Sequence, residues 1–367
     1  MIIHGDCLDK MREMESNSID FIVCDPPYGI NFMGKKWDEK IPHIEIWKES
    51  LRVCKPGSML AAFGGSRTHH HLMTILELVG WEIRDVIMWI YGSGFPKSHN
   101  FGKKLGGIWQ GYGTALKPAY EPIIICQKPL HGTFAENAEK WGVAGINIEQ
   151  SRIHGKPRTT HSDGNHKGCD KDGNIYNIGY KAGHFSNCPI GRWPSNLILD
   201  EESSEILDEM TGILKSGSIV PGHKTKGNSQ IGTFKIHSRD NQYFKGDSGG
   251  ASRFFYCAKT SSKERNRGLQ GMSLKECGIK NDSGRGFSES DPYKKVMYKN
   301  NHPTVKPLSL MKYIVKLLAP PGDPICLDPF AGSGTTLIAA KELGIRAIGI
   351  EIEKEYCEIA EKRISAL

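Results

Sequence analysis

The sequence predicts an α/β protein whose mostly parallel sheet is interrupted by a long central insert. Residues 1–130 and 301–367 alternate short apolar, β-branched runs with stretches of helical period, which is typical of a parallel sheet covered on both faces. Residues 131–300 are instead rich in glycine, serine, asparagine, lysine and histidine, and long tracts there show no clean period. We therefore expect an interrupted sheet domain, with boundaries near residues 130 and 300.

The first segment is expected to hold two helices between its strands. The helix over 43–54 should stop at Lys55-Pro56-Gly57, and the helix over 69–80 ends in a glycine, which is a common helix-stop signal. The apolar runs that we expect to form strands are 19–25, 58–65, 86–92 and 121–129.

The last segment repeats this alternation, whereas the insert contains only short apolar runs. In the insert these are 196–200, 204–214 and 253–257. After residue 300 we expect helices over 308–318, 334–343 and 355–364 and strands over 324–328 and 346–351.

Composition limits the class of protein. The 367 residues are 38% hydrophobic and 24% charged, which fits a globular chain and not a disordered one. No apolar run approaches the roughly 18 residues of a membrane span, and the first residues lack a signal-peptide pattern. Ten cysteines form no CxxC pair, so reduced thiols are expected. These features predict a soluble, cytoplasmic protein with no membrane partner.

The net charge of +7 is concentrated in the insert. Residues 152–300 contain 24 Lys and Arg against 16 Asp and Glu, whereas the other 218 residues contain 24 against 25. A basic module of this kind is expected to bind a polyanion such as a nucleic acid, because neutralised phosphates supply most non-specific affinity. A solvated, lysine-rich loop explains the charge equally well.

A glycine turn in the last segment predicts a nucleoside-binding site. A strand ends at Asp328, the turn contains Gly332 and Gly334, and a helix follows. Glycines let backbone approach a ligand closely, and Glu351 ends the next strand, where an acid can bind a ribose diol. No lysine follows the glycines and GxGxxG is absent, so the pattern favours a nucleoside without phosphates, such as S-adenosylmethionine. An ordinary strand–helix turn is the alternative.

A second motif, Asp25-Pro26-Pro27-Tyr28, follows the apolar strand at 19–24. Proline has no N–H to donate, so its carbonyl remains available as an acceptor. An acid, a rigid carbonyl and an aromatic ring suit a planar base with an exocyclic amine. Asp25 and the Pro26 carbonyl would accept the two amine hydrogens, and Tyr28 would stack on the base. A capped turn at the end of a strand remains the alternative.

Together these motifs resemble the DNA amino-methyltransferases, which methylate adenine N6 or cytosine N4 from S-adenosylmethionine. Residues 302–307, His-Pro-Thr-Val-Lys-Pro, are similar to the family motif that helps hold the methionine end of the cofactor, and Gly5-Asp6 to the motif that contacts its adenine. The resemblance implies catalytic roles for Asp25, Pro26, Pro27 and Tyr28. The cofactor residues that it implies are Asp6, Cys7, His302, Thr304, Lys306, Asp328, Pro329, Phe330, Gly332, Gly334, Thr335 and Glu351.

The order of the motifs is similar to the permuted β subclass of this family. That likeness implies a Rossmann-like seven-stranded sheet, divided between 1–130 (catalytic half) and 301–367 (cofactor half), with 131–300 as the target recognition insert. It further implies sequence-specific methylation of a flipped-out adenine in double-stranded DNA, a homodimer, and a cognate restriction endonuclease.

Other interpretations stay open at this point. Cytosine N4 is the alternative target, and RNA or protein amides are alternative substrates, although Asp rather than Asn at position 25 argues against them. A DNA-binding subunit without catalysis is a further class. His166, Cys169, His184 and Cys188 have loose zinc-ligand spacing. Coincidence in a histidine- and glycine-rich stretch is the preferred explanation, and no metal site is assigned.

Overall fold

The computed structural model describes most of the chain outside parts of the insert. Its continuous stretches are 1–30, 36–94, 98–153, 191–215, 247–258, 266–270 and 304–367. Positions 230–231, 234–235, 264, 275–276, 297–298, 300 and 302 are also described. The four histidines and cysteines with loose zinc-ligand spacing lie outside the described residues.

The secondary structure alternates as expected. The helices are α1 (Cys7–Arg12), α2 (Ile44–Val53), α3 (His69–Val79), α4 (Gly102–Leu105), α5 (Phe134–Trp141), α6 (Glu201–Thr211), α7 (Leu308–Leu318), α8 (Thr335–Glu342) and α9 (Lys354–Ser365). The longer strands are β1 (Ile2–His4), β2 (Ile19–Cys24), β3 (Cys54–Phe63), β4 (Glu82–Ile90), β5 (Tyr120–Gln127), β6 (Leu197–Asp200), β11 (Tyr256–Ala258), β14 (Ile325–Asp328) and β15 (Arg346–Glu351). The two-residue strands are β7 (Leu214–Lys215), β8 (Gln230–Ile231), β9 (Phe234–Lys235), β10 (Ser248–Gly249), β12 (Lys275–Glu276) and β13 (Met297–Tyr298).

Within the described residues, the main sheet has nine strands in the order β1-β15-β14-β2-β3-β5-β4-β6-β11. The pairings from β1 across to β3 are parallel, β5 runs antiparallel to both β3 and β4, and β4 is parallel to β6. The first seven strands in this order come from the two predicted halves, and β6 and β11 extend the sheet from the segment between them. The predicted α/β class, with its mostly parallel, Rossmann-like sheet, is confirmed.

The two halves of the chain complete each other in the sheet. Leu327 of β14 pairs with Ile22 of β2, and Ile2 of β1 pairs with Gly349 of β15. All six residues of β2 are buried, as expected for a strand covered on both faces. Trp47 of α2 and Leu76 of α3 are fully buried in one core cluster with Ile22, and α7 contacts β2 and β3.

The Lys55-Pro56-Gly57 signal does end a helix, but its residues also begin the next strand. Helix α2 ends at Val53, and β3 starts at Cys54 without a separate turn. Gly57 has φ +80° and donates its N–H to the Lys128 carbonyl at 3.1 Å. The Pro56 carbonyl accepts from Asn137 Nδ2 at 2.8 Å. These tertiary partners satisfy the irregular backbone, and they cannot be inferred from local pattern.

The chain divides into two compact units. The first contains residues 1–151, 195–204 and 257–367 and therefore the strands that carry the predicted motifs. Residues 131–151 belong with the sheet: Gln127 Nε2 donates to the Ala144 carbonyl at 2.7 Å, and the Asn147 N–H donates to the Leu317 carbonyl at 2.7 Å.

The second unit contains residues 152–194 and 205–256. In its described part, the Arg192 guanidinium pairs with Asp247 and donates to the Arg253 carbonyl. Asp208 accepts hydrogen bonds from both the N–H and the hydroxyl of Ser252, each at 2.7 Å. Partly buried arginines and short polar hydrogen bonds thus hold together a unit that has few apolar runs. No helix in the described stretches of the chain has the length and apolarity to span a membrane.

Candidate active site

Four acids lie at the carboxyl ends of parallel strands. Asp25 directly follows β2, Asp328 ends β14 and Glu351 ends β15. Asp6 follows β1, and the neighbouring Gly5 N–H donates to the Glu351 carbonyl at 2.9 Å. Because parallel strands point their carboxyl ends to one edge, the structure brings all four to the edge where open α/β sheets bind ligands.

Asp25 lies in a compact ionic cluster with Tyr28, Lys306 and Glu121. Lys306 Nζ is 2.7 Å from Asp25 Oδ2 and 3.2 Å from Glu121 Oε2. The Tyr28 hydroxyl is 2.8 Å from Asp25 Oδ1 and 3.0 Å from Glu121 Oε2. One ammonium group and one phenol therefore connect two carboxylates, and the Lys306 side chain is only 8% exposed.

Burial and neighbouring charge oppose each other at Asp25 and Lys306 and reinforce each other at Tyr28. Burial raises the pKa of Asp25 above its ordinary value, while Lys306 opposes that rise. Burial alone would lower the pKa of Lys306, but Asp25 and Glu121 outweigh it, so that pKa is raised. Burial, reinforced by both carboxylates, raises the pKa of Tyr28 well above its usual value. Lys306 stays charged, Tyr28 stays protonated, and Lys306 supplies the charge that favours ionised Asp25.

Asp38 fixes the backbone of the segment that carries Tyr28. Asp38 is buried, and its Oδ1 accepts hydrogen bonds from the N–H groups of Tyr28 and Gly29 at 2.6 and 3.1 Å. Pro26 is buried and Pro27 is half-buried. The motif therefore forms a fixed turn that presents Asp25 and Tyr28 together.

The glycine turn is tied to the acid that ends the next strand. Gly332 has φ +51° and Gly334 has φ +79°, which is backbone that other residues adopt with strain. The Gly332 N–H donates to Glu351 Oε2 at 2.8 Å, and Glu351 Oε1 accepts from the Glu353 N–H at 2.8 Å. A carboxylate has about four acceptor positions, so Glu351 can hold the turn and still accept hydrogen bonds from a ribose diol.

His302 packs directly over this turn. A Cβ atom at Gly332 would lie 2.7 Å from His302 Nε2. The His302 ring also stacks on the Trp37 ring, with the two centroids 6.3 Å apart, and it contacts the Tyr356 ring edge-on, with centroids 4.6 Å apart. The Thr304 N–H lies 3.4 Å from His302 Nδ1. The missing glycine side chain thus lets an aromatic cluster close on the turn.

Two acids of the predicted cofactor site differ in their surroundings. Burial raises the pKa of Asp328 to about 7, against bonds from Thr336 and the Phe330 N–H that lower it. Asp6 caps α1 and accepts from the N–H groups of Leu8 and Asp9 at 2.9 and 3.3 Å. Asp328 therefore holds its proton to a higher pH than an exposed carboxyl does.

The other predicted cofactor residues support the backbone of the turn. Phe330 packs on Trp47, and buried Pro329 separates it from Asp328. Thr335 is buried, and its hydroxyl accepts from Arg363 at 3.3 Å. Burial raises the pKa of Cys7 to about 12, so this thiol stays neutral and packs as an apolar group.

Sequence reasoning missed Glu121 and Arg363. Glu121 lies in β5, which runs antiparallel, so its amino-terminal end reaches the edge where the parallel strands end. Acids were expected at the carboxyl ends of strands, and Glu121 lies near the amino-terminal end of one. Arg363 is buried and donates to the Ser333 carbonyl and hydroxyl. An arginine in a helix gives no local signal that it will reach a distant turn. Lys306, predicted on the cofactor side, has its ammonium in the Asp25 cluster.

The chain is similar to known DNA methyltransferases. A family model described as N6/N4 DNA methylase matches residues 19–362. The type II methyltransferase M.HindIII of Haemophilus influenzae is 24% identical over 415 aligned residues, covering 99% of this chain and 94% of that protein. The type II methyltransferase M2.DpnII of Streptococcus pneumoniae is 55% identical over 65 residues, 18% of this chain and 24% of that protein. The solved M1.HpyAVI–SAM complex covers 99% of this chain and 98% of its own, at 18% identity and a TM-score of 0.42.

The family match extends over nearly the whole chain and includes both motif-bearing segments. The chain therefore belongs to the N6/N4 DNA methylase family. It is a DNA methyltransferase, and S-adenosylmethionine is its methyl donor, as the sequence predicted.

Proposed function

We propose that the protein is a sequence-specific DNA methyltransferase of the permuted β subclass that modifies adenine N6. The observation that carries this proposal is the Asp25 cluster. A half-buried acid next to two prolines and a tyrosine is paired with Lys306 at 2.7 Å, at the ligand-binding edge of the sheet. This arrangement provides a carboxyl acceptor, paired with a lysine, for an exocyclic amine.

In this proposal, Asp25 and the Pro26 carbonyl each accept one hydrogen of the amine. The nitrogen lone pair is otherwise delocalised into the ring, and these two bonds pull the nitrogen towards tetrahedral geometry. Tyr28 stacks on the base, while its hydroxyl bonds with Asp25 and Glu121 hold the ring in place. Holding the reacting groups in position supplies much of the rate.

The cofactor residues are proposed to act around the glycine turn. S-adenosylmethionine supplies an electrophilic methyl group when bound. Glu351 would accept from its ribose hydroxyls, Asp6 from its adenine, and His302 would close over the turn. The site fits such a group because the Glu351 carboxylate has acceptor capacity beyond the Gly332 and Glu353 N–H groups that it already binds. The remaining residues that are proposed to contact the cofactor are Asp328, Gly334, Thr304 and Thr335.

The choice of adenine rests on Asp25, since family members with Asp rather than Ser at this position tend to act on adenine. Cytosine N4 is the second candidate target, because it carries a similar exocyclic amine. The target base must leave the stack, because its amine cannot be reached within a duplex. We assign duplex binding and sequence choice to the basic insert, and we propose a homodimer and a cognate restriction endonuclease as partners.

The test is base-resolution sequencing of DNA from cells that express the protein, by a method sensitive to both modified bases. Cells that express Asp25→Ala are the matched control. Methyladenine confined to one short sequence, and absent in the control, is the expected result. Detection of N4-methylcytosine instead would support the proposed role of the Asp25 cluster but would identify cytosine, and not adenine, as the target base. Unmodified DNA, with S-adenosylmethionine binding intact in vitro, would refute the proposal.

A further inference from the structure

Residues 98–118, which we call the arm, belong to the connection between β4 and β5. Its base is closed by the Tyr91 N–H, which donates to the Ala119 carbonyl at 3.0 Å, and by the Lys117 ammonium on the Gly92 carbonyl. Further out, the His99 N–H donates to Thr114 Oγ1, and the Thr114 N–H donates to Ser98 Oγ, both at 2.9 Å. The two sides of the arm are therefore bonded to each other, and the arm holds a defined shape.

The arm exposes apolar and aromatic side chains to an unusual degree. Leu116 is 92% exposed and Ile108 is 84% exposed. Trp109 is 43% exposed, and its ring contacts those of Tyr112 and Phe101 at 5.5 and 5.6 Å. Apolar groups concentrated on one exposed segment indicate a binding surface.

The charge of this region selects the kind of partner. Residues 91–120 contain four lysines and neither aspartate nor glutamate. Lys103 and Lys104 are both exposed, in α4, within seven residues of Trp109. Lysines beside exposed aromatic rings are the combination that binds unstacked nucleic acid, where ammonium groups meet phosphates and rings stack on bases.

The base of the arm adjoins the Asp25 cluster. Ile90 and Tyr120 pair where β4 and β5 open into the arm. The next residue, Glu121, is the one that contacts Tyr28 and Lys306. The arm therefore ends three residues before Glu121, which contacts the Tyr28 proposed to stack on the target base.

We propose that the arm binds the DNA strand beside the target base, with Lys103 and Lys104 on phosphates and Trp109 and Tyr112 stacked on neighbouring bases. This places a DNA contact outside the insert to which recognition is assigned. The inference rests on the proposed function, because it takes the flipped base as its reference point. The absence of acids in the arm favours DNA over a second protein copy as the occupant.

The test measures binding of a fluorescein-labelled 30-base-pair duplex and of a labelled 30-nucleotide single strand by anisotropy, over a series of salt concentrations. Trp109→Ala should weaken binding by at least about fivefold, since a stacked base contributes that much or more, and Trp109→Phe should recover most of it. Lys103→Gln/Lys104→Gln should lower the slope of log affinity against log salt by about two.

Matched controls remove the same groups elsewhere in the first unit. Phe134→Ala removes an aromatic ring that is 50% exposed, and Lys140→Gln/Lys316→Gln removes two ammonium groups. Both should leave DNA binding unchanged. Unchanged S-adenosylmethionine binding and thermal midpoint in the arm variants would show that they fold.

DNA affinity and salt slope equal to wild type in both arm variants would overturn the inference. A change of oligomeric state in Trp109→Ala by sedimentation, at unchanged DNA affinity, would overturn it in favour of a protein interface. The arm and the proposed reaction can fail separately. If the wild type leaves DNA unmodified but the arm variants still lose DNA binding, the proposed reaction is refuted and the DNA-binding role of the arm stands.

Discussion

Replacing Lys306 by methionine tests the ionic cluster most directly. The change keeps an unbranched side chain and removes the ammonium that lies 2.7 Å from Asp25 and 3.2 Å from Glu121. Breaking a buried ion pair costs about 3–5 kcal/mol, because the remaining charge is left uncompensated. Asp25 and Glu121 keep about a fifth of their side chains exposed, and water reduces that cost. We therefore expect a loss of about 3 kcal/mol in the free energy of unfolding at pH 8.

The loss should depend on pH. Without Lys306, burial and the second carboxylate raise the pKa of Asp25 further above its unfolded value of about 3.9. A carboxyl whose folded pKa is raised contributes its stability at low pH and loses that contribution as pH rises through the folded pKa. The deficit of Lys306→Met relative to wild type should therefore be smaller at pH 5.5 than at pH 8. Adding Glu121→Gln should recover a large part of it, since one carboxylate is gone.

The assay is urea unfolding of wild type, both single variants and the double variant at the two pH values. Lys312→Met is the matched control: it removes an ammonium 3.0 Å from Glu342, but that lysine is 38% exposed. An exposed pair contributes less than about 1 kcal/mol, so this control should lose little at either pH. A deficit for Lys306→Met that is equal at pH 5.5 and 8, and simply additive with Glu121→Gln, would refute the ionic reasoning.

Three further predictions concern the rest of the site. Asp25→Ala should bind S-adenosylmethionine as wild type does in calorimetry and lose methyl transfer; full turnover would contradict its role. Because burial raises the pKa of Asp328 to about 7, its ionisation should cost stability as pH rises through 7. Asp328→Asn, which cannot ionise, should therefore gain up to about 4 kcal/mol relative to wild type between pH 4 and 8 in urea unfolding, and a pH-independent difference would count against this. Gly332→Ala should lose about 1–2 kcal/mol from its φ of +51° and at least about tenfold in cofactor affinity, because its Cβ would meet His302. The control Gly344→Ala has φ +71° and open space around its Cβ, so it should show the strain without the affinity loss.

Most of the sheet was predictable because the elements that carry it are long and strongly patterned. Helix α7 and strand β15 have the predicted bounds, and the glycine after α3 ends that helix. Strand β1 was missed, since three residues are too few to show a period. It is stabilised by pairing with β15, which lies more than 340 residues away in the chain.

Local pattern alone determined the α/β class, the two motifs and the acids that end parallel strands. These features depend on residues close in sequence, where burial period and turn chemistry leave a direct record. Only the tertiary structure decided the charge balance of the site. Lys306 reaches Asp25 across 281 residues, and Glu121 arrives on an antiparallel strand. Such contacts leave no local trace, because the field at a buried carboxylate is the sum over whatever groups the fold brings near it.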